Sequence, residues 1–268
     1  MPTIDQNITA WEEQYRWVEQ GDEWSRAWGG PSAQWYGTIL PRLRSFVPAR
    51  TILEIAPGFG RWTQFLRLLC DELVLVDISA KCIEACRARF AADPRIQYHV
   101  NDGRSLSMVA DDSIDLAFTF DSLVHVEVDV LGDYIAQLAH KLRPDGVAFI
   151  HHSNMAEYVD PTTGELPSDV KNPHWRAQSV SAESAREAVE AAGLSCLSQE
   201  IVNWGGDNFI DAITVVARPD SRWAGQTIVI RNAGFSGEVT YVRQLAQLYD
   251  WGPLARGEGS SEGATEQT

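Results

Sequence analysis

The chain has 268 residues, of which 44% are hydrophobic and 22% charged, a folded globular composition with room for one or two domains. Its 22 Lys and Arg stand against 37 Asp and Glu, a formal charge of −15, which excludes a general binder of nucleic-acid backbones. No apolar run approaches the ~18 residues that a membrane span needs, and the polar, acidic start MPTIDQNITAWEEQ is no signal peptide. The expectation is a cytoplasmic protein without a membrane or nucleic-acid partner.

The first fifty residues read as helical and aromatic. Thr9 and Glu12 have capping-box spacing, and Trp11, Trp17, Trp24, Trp28, Trp35 and Tyr36 follow. These rings either cover the edge of the next domain or form an apolar lid over a ligand. From residue 51 short apolar runs alternate with amphipathic stretches. Strands are predicted at Thr51–Ala56, Leu73–Ile78, Ile96–Asn101, Ile114–Phe120 and Val147–His152. Helices are predicted at Arg61–Cys70, at Ser79–Ala91 and through Leu131, Ile135, Leu138 and Leu142, the last ended by Pro144 and Gly146. Cys82 and Cys86, i and i+4 on the second of these helices, read as ordinary thiols. Such alternation predicts an α/β fold with a parallel sheet covered on both faces.

Residues 154–178 break the rhythm with Pro161, Pro167 and Pro173, and read as a functional insertion. A helix over Ser181–Ala192 follows, then strands Cys196–Asn203 and Phe209–Arg218 joined tightly enough for an antiparallel hairpin. A short strand (Thr227–Ile230), a helix (Glu238–Tyr249) and a Gly/Ser/Glu-rich tail complete the chain. The division expected is 1–48 as helical cover, 49–218 as ligand-binding domain with the 154–178 insertion, 219–255 as a strand–helix extension and 256–268 as a disordered tail.

The segment TILEIAPGFGRWTQFL carries the strongest functional signal. A strand enters a loop in which Gly58 and Gly60 permit close backbone approach, and a helix start beyond it offers free N–H groups. It is not the dinucleotide fingerprint G-x-G-x-x-G, and Pro57 has no N–H for a phosphate. Three acids sit at successive strand ends: Glu54 in the first, Asp77 closing the second, and Asp102 after the third. In a parallel sheet these ends line one crevice. Asp77 there can accept two ribose hydroxyls, Asp102 an adenine amino group, and a carboxylate near the first loop can help to hold an amino-acid ammonium.

With Glu54–Gly60, Asp77, Asn101-Asp102, Ile114–Phe118 and Leu142–Gly146 in place, residues 50–218 resemble the class I, Rossmann-like S-adenosylmethionine-dependent methyltransferases, most of all bacterial small-molecule and sugar O-methyltransferases. The resemblance implies a seven-stranded, mostly parallel, doubly wound sheet with an antiparallel last strand. It implies S-adenosylmethionine as cofactor, held by Glu54, Ala56, Gly58, Gly60, Asp77, Ile78, Asp102, Gly103 and Phe120. The chain departs from the family at Ala56, which stands where a first glycine is usual.

The resemblance also places the acceptor beyond strands four and five. Asp121 and His125 follow strand four, and His151 and His152 end strand five, so these four are the candidate catalytic residues. An alcohol must lose its proton to attack, and histidine suits that step. Alternation sends His151 and His152 to opposite faces, so one of them faces the cleft. Asp121, His125 and His151 lack a recognisable metal-ligand spacing, and no metal is expected. The reading is an O-methyltransferase acting on a small-molecule hydroxyl, on a sugar, glycoside or natural-product scaffold, with room for a homodimer. The alternatives are N-methylation and a catalytically silent methyltransferase fold that serves as a binding subunit.

Overall fold

The structure, a computed structural model, describes residues 2–241 together with Gln244 and Leu248. Helix α1 (Ile4–Ile8) runs on into a π-helical turn over Thr9–Gln14. Its capping box is built on Thr3 and Gln6, not on Thr9 and Glu12. The competing box fails because Thr9 has helical backbone angles and Glu12 is engaged elsewhere, its carboxylate accepting from Lys81 N–H and its carbonyl from Lys81 Nζ. After a 3₁₀ helix of about two turns over Asp22–Trp28 come α2 (Pro31–Gln34), a π turn and α3 (Leu40–Leu43). Their faces bury Trp28, Trp35, Ile39 and Leu43 against the sheet, with Trp35 stacked on Phe65 at 5.0 Å.

The sheet is then assembled by alternation: β1 (Ala49–Ile55), α4 (Thr63–Leu66), β2 (Cys70–Asp77), α5 (Ala80–Arg89), β3 (Ile96–Val100), β4 (Ile114–Thr119), α6 (Val128–Lys141), β5 (Leu142–Ser153), α7 (Ala182–Ala191), β6 (Ser195–Val202), β7 (Asp211–Ala217) and β8 (Ile228–Asn232). The order is β3-β2-β1-β4-β5-β7-β6-β8. Strands β1 to β5 pair in parallel, and β7 lies antiparallel between β5 and β6. The sheet has eight strands, not seven, because the segment after Thr227 adds to the edge of β6 in parallel.

Alternation along β1 shows why both faces need cover: Ile52 joins the core beneath α3, α4 and α5, and Leu53 the core beneath α6 and α7. Leu131, Ile135 and Leu138 carry the buried stripe of α6. Two boundaries differ from expectation. Only Thr63–Leu66 of the predicted helix Arg61–Cys70 is α-helical, since Cys70 already opens β2. Leu142–Gly146 does not merely stop α6; it begins β5, with Leu142 opposite Ile114 and a register shift beyond it. Half of the helix expected over Glu238–Tyr249, and the whole 256–268 tail, lie outside the described residues. No helix among the described residues is long and apolar enough to cross a membrane.

The strand order reverses between β1 and β4, so their C-terminal ends part to leave a crevice. The loop after β1, the ends of β2 and β4 and the turn after β3 all open there.

Candidate active site

A cavity of about 1180 Å³, open solvent included, fills this crevice. Sheet-end residues Ala56–Phe59, Asp77, Ile78, Gly103, Phe120–Leu123, His125 and Val126 line it from below. The N-terminal segment closes it with Ile4, Asn7, Trp11, Trp17 and Trp24, while His174, Arg176 and Trp204 add a further wall. The aromatic N-terminus thus divides: Trp28 and Trp35 are core, whereas Trp11, Trp17 and Trp24 face the cavity.

The loop after β1 is shaped by alternate left-handed residues, Ala56 (φ +57°), Gly58 (φ +58°) and Gly60 (φ +86°). Ala56 holds the conformation of the usual glycine although it carries a Cβ, a strain on the order of 1–3 kcal/mol. Its carbonyl is fixed by the Ser122 hydroxyl at 2.9 Å. A side chain at Gly58 would meet Trp17 at 2.9 Å, and one at Gly60 would meet Phe90 at 2.5 Å. Gly58 therefore lets the cover close on the loop; Gly60 is a packing position off the cavity wall.

The three acids divide in the same way. Asp77 is buried on the wall, its Oδ2 accepting from Gly58 N–H at 3.0 Å and its Oδ1 from Ser79 N–H at 2.8 Å. Burial pushes its carboxyl up to about 6, against the pull of those N–H groups. Glu54 lies behind the wall: Oε2 accepts from the Thr63 hydroxyl at 2.6 Å, Oε1 has no partner among the described residues, and burial pushes the carboxyl up to about 8. Asp102 is exposed and caps the next turn, accepting from Arg104 and Ser105 N–H.

Because the folded value of Glu54 is raised, its contribution to stability is full below the ordinary carboxylate range and is lost as pH rises through about 8. Glu54→Gln keeps an acceptor for Thr63 without that charge. It is expected to match the wild type near pH 4 and to exceed it by a margin that grows up to about pH 8 in thermal melts. Identical pH dependence in the two proteins would show that Glu54 does not titrate in this way.

On the other side of the crevice His125 is buried on the wall, between Trp11 (5.4 Å) and Trp175 (5.5 Å). Asn7 Nδ2 donates to its carbonyl at 2.9 Å, and Nδ1 has no partner among the described residues. Burial, aided by the Arg176 charge, pushes the imidazole down to about 4, so the ring is neutral at pH 7. Asp121 reaches the wall with φ +62° and pairs with Arg61 Nη2 at 2.8 Å.

His151 and His152 do point to opposite faces, and neither lines the cavity. His151 stacks behind Phe120 at 4.5 Å and accepts from Asp121 N–H at Nδ1. His152 turns away, with Nε2 on the Thr214 hydroxyl and Nδ1 on the Ser153 carbonyl. The candidate bases His151 and His152 therefore do not reach the cavity wall, one lying a layer back and the other across the sheet. Arg61, Arg176, Asn7 and Tyr134 complete the wall without having been singled out as site residues. Arg61 directly follows Gly60, which was a usable signal; Asn7 had none.

Residues 52–146 match a family model described as a methyltransferase domain. On that match, the protein is an S-adenosylmethionine-dependent methyltransferase. Its cofactor is S-adenosylmethionine. No curated protein matches the sequence. Among solved structures, the methyltransferase is similar to the [4+2]-cyclase SpnF, with 14% identity, a TM-score of 0.57 and coverage of 84% of this chain and 98% of that one. It is also similar to an S-adenosylmethionine-dependent methyltransferase from Mesorhizobium loti (19% identity, TM-score 0.51, 66% and 96% covered). A third likeness is to the PH0226 protein of Pyrococcus horikoshii OT3 (18% identity, TM-score 0.52, 78% and 95% covered). At these identities the likenesses show the shared fold alone.

The residues present fit the cofactor. Each Asp77 oxygen accepts a single N–H and keeps a lone pair for a ribose hydroxyl. Gly58 and Gly103 add no side chain of their own to the wall beside it, where Trp17, Ile4 and Ile78 already pack close. Asp77→Asn is expected to weaken S-adenosylhomocysteine binding about tenfold to hundredfold, since one or two charge-assisted hydrogen bonds are worth ~1.5–3 kcal/mol each. Calorimetry checks this; unchanged affinity in a folded variant would move the ribose contact elsewhere.

Proposed function

We propose that the methyltransferase acts on a hydroxyl of a small molecule, on a sugar, glycoside or natural-product scaffold, with His125 as general base. S-adenosylmethionine, when bound, supplies an electrophilic methyl group on a sulfonium. Asp77 and the loop after β1 hold the nucleoside end. Trp11, Trp24 and Trp204 offer flat apolar walls suited to a ring, and the cover excludes water.

The observation that carries this reading is the Nδ1 of His125. It is a buried imidazole nitrogen without a partner among the described residues, in a neutral ring whose residue lines the same cavity as Asp77. A free nitrogen there can take the hydroxyl proton as oxygen attacks. Asp121 is a poorer base, because its carboxylate is paired with Arg61.

The test is methyl transfer from methyl-labelled S-adenosylmethionine to a panel of saccharides, glycosides, phenols and amines. Label in a base-stable ether is expected. Label only on nitrogen would replace the reading with N-methylation, which needs no strong base. No label in any compound while S-adenosylhomocysteine binds would favour a silent binding subunit.

A further inference from the structure

We propose that the Arg61–Asp121 ion pair receives the amino-acid end of the cofactor, Arg61 taking its carboxylate and Asp121 its ammonium. His151 is the positioning residue that keeps Asp121 in place. The inference rests on the cofactor assignment and not on the identity of the acceptor.

S-adenosylmethionine ends in an α-amino-acid zwitterion. Burying that group in an enclosed cavity is costly unless each charge meets an opposite one. Four Asp and Arg side chains line the cavity: Arg61, Asp77, Asp121 and Arg176. Asp77 is held by Gly58 and Ser79 N–H beside the nucleoside wall. Arg176 is committed to Asp211 through Nε at 2.6 Å and Nη2 at 2.8 Å, and to the Pro173 carbonyl through Nη1. Asp211 is buried away from the cavity wall. Glu54, the acid that the sequence offered for the ammonium, is behind the wall and bound to Thr63. Among the described residues, Arg61 and Asp121 are thus the ion pair with both partners on the wall.

Their unused valences match a zwitterion. Arg61 has five N–H donors. One Nη2 bond goes to Asp121 at 2.8 Å, and Nη1 reaches Ser25 Oγ only at 3.4 Å. Asp121 accepts from Arg61 at Oδ2, and its Oδ1 has no hydrogen bond among the described residues. These four charges, arranged as two opposed pairs, cancel one another. The placement also fits: Arg61 follows the loop after β1 and Asp121 ends β4, and these strands are neighbours at the crevice.

Asp121 holds this position in a left-handed backbone conformation that a residue with a Cβ rarely adopts. The surrounding structure must impose it, and His151 does so. Its Nδ1 accepts from Asp121 N–H at 2.9 Å, and its ring is clamped between Phe120 (4.5 Å) and Trp204 (5.3 Å). With Nδ1 accepting, a ring proton sits on Nε2, which faces Asp211 Oδ2 at 3.4 Å.

The experiment compares two ligands by calorimetry. S-adenosylhomocysteine carries the zwitterion; 5′-methylthioadenosine is the same adenosine thioether without it. Arg61→Met and Asp121→Asn are each expected to weaken S-adenosylhomocysteine tenfold or more and to leave methylthioadenosine within about twofold. If a lone buried charge prevents either variant from folding, the double variant removes both charges and should show the same selective loss. Equal loss for both ligands, or no loss for either, overturns the proposal.

For the positioning role, His151→Phe keeps the stack and loses the acceptor, whereas His151→Asn keeps an acceptor and loses the stack. The selective loss is expected in His151→Phe and its rescue in His151→Asn. The reverse pattern would make His151 a packing residue and overturn that part. A wild type that binds neither ligand would instead remove the cofactor assignment beneath the proposal.

Discussion

Replacing His125 by alanine is expected to lower kcat by about 10²–10⁴-fold, the usual contribution of a general base, and to leave S-adenosylhomocysteine affinity within a few-fold. The separation follows from position. His125 comes from the turn after β4, between Trp11 and Trp175, whereas the proposed nucleoside contacts, Asp77 and the loop beside it, come from the ends of β1 and β2. The pH profile should change with it. Burial holds the imidazole near 4, so wild-type kcat/KM falls only as pH drops through about 4, and the variant lacks that limb. The acceptor returned by the methyl-transfer panel supplies the assay. An unchanged kcat would leave the hydroxyl without a protein base and make an amine the better acceptor. A parallel fall in cofactor affinity would mean that His125 supports the lid through its aromatic neighbours and takes no proton.

The order of strands was legible because each is a short apolar run and each connection carries its own punctuation. The loop after β1 was legible because Gly58 and Gly60 sit beside a helix start. Its first position was harder: Ala56 looks like a departure, yet adopts the left-handed conformation of the missing glycine because Ser122 and the β1–β4 neighbourhood hold it there. Alternation gave opposite faces to His151 and His152, but which face meets the crevice depends on what packs above the sheet, and that is set by distant residues. Arg61 meets Asp121 across 60 positions, and Asn7 meets the His125 carbonyl across 118. No local pattern encodes such pairs. The apolar run after Thr227 reads as a strand, but its place at the β6 edge depends on a connection that carries no register signal.

Asp211→Ala is expected to destabilise the fold by about 3–5 kcal/mol, because it strands a buried guanidinium. Arg176 and Asp211 form a two-point pair, at 2.6 and 2.8 Å, with side chains almost wholly removed from water. Desolvation is the largest influence on Asp211 and raises its pKa, but Arg176 and His151 outweigh it and hold the carboxyl well below the usual carboxylate range. The sign follows: with a depressed folded value, the contribution is complete above the unfolded carboxylate range of ~3.9 and is lost only as pH falls through the lower folded value. Urea unfolding at pH 7 measures the loss. The double variant Arg176→Met, Asp211→Ala removes the stranded charge along with its partner, so it should recover part of the lost stability. If the double variant is as unstable as the single one, the cost lies elsewhere. The remaining contacts would then carry it, chiefly the Asn172–Arg176 backbone clamp and the Arg176 guanidinium over the Trp204 ring at 5.4 Å. In either case the effect reaches the cavity, since Arg176 ties the loop that carries His174 and Trp175 to the floor of the sheet.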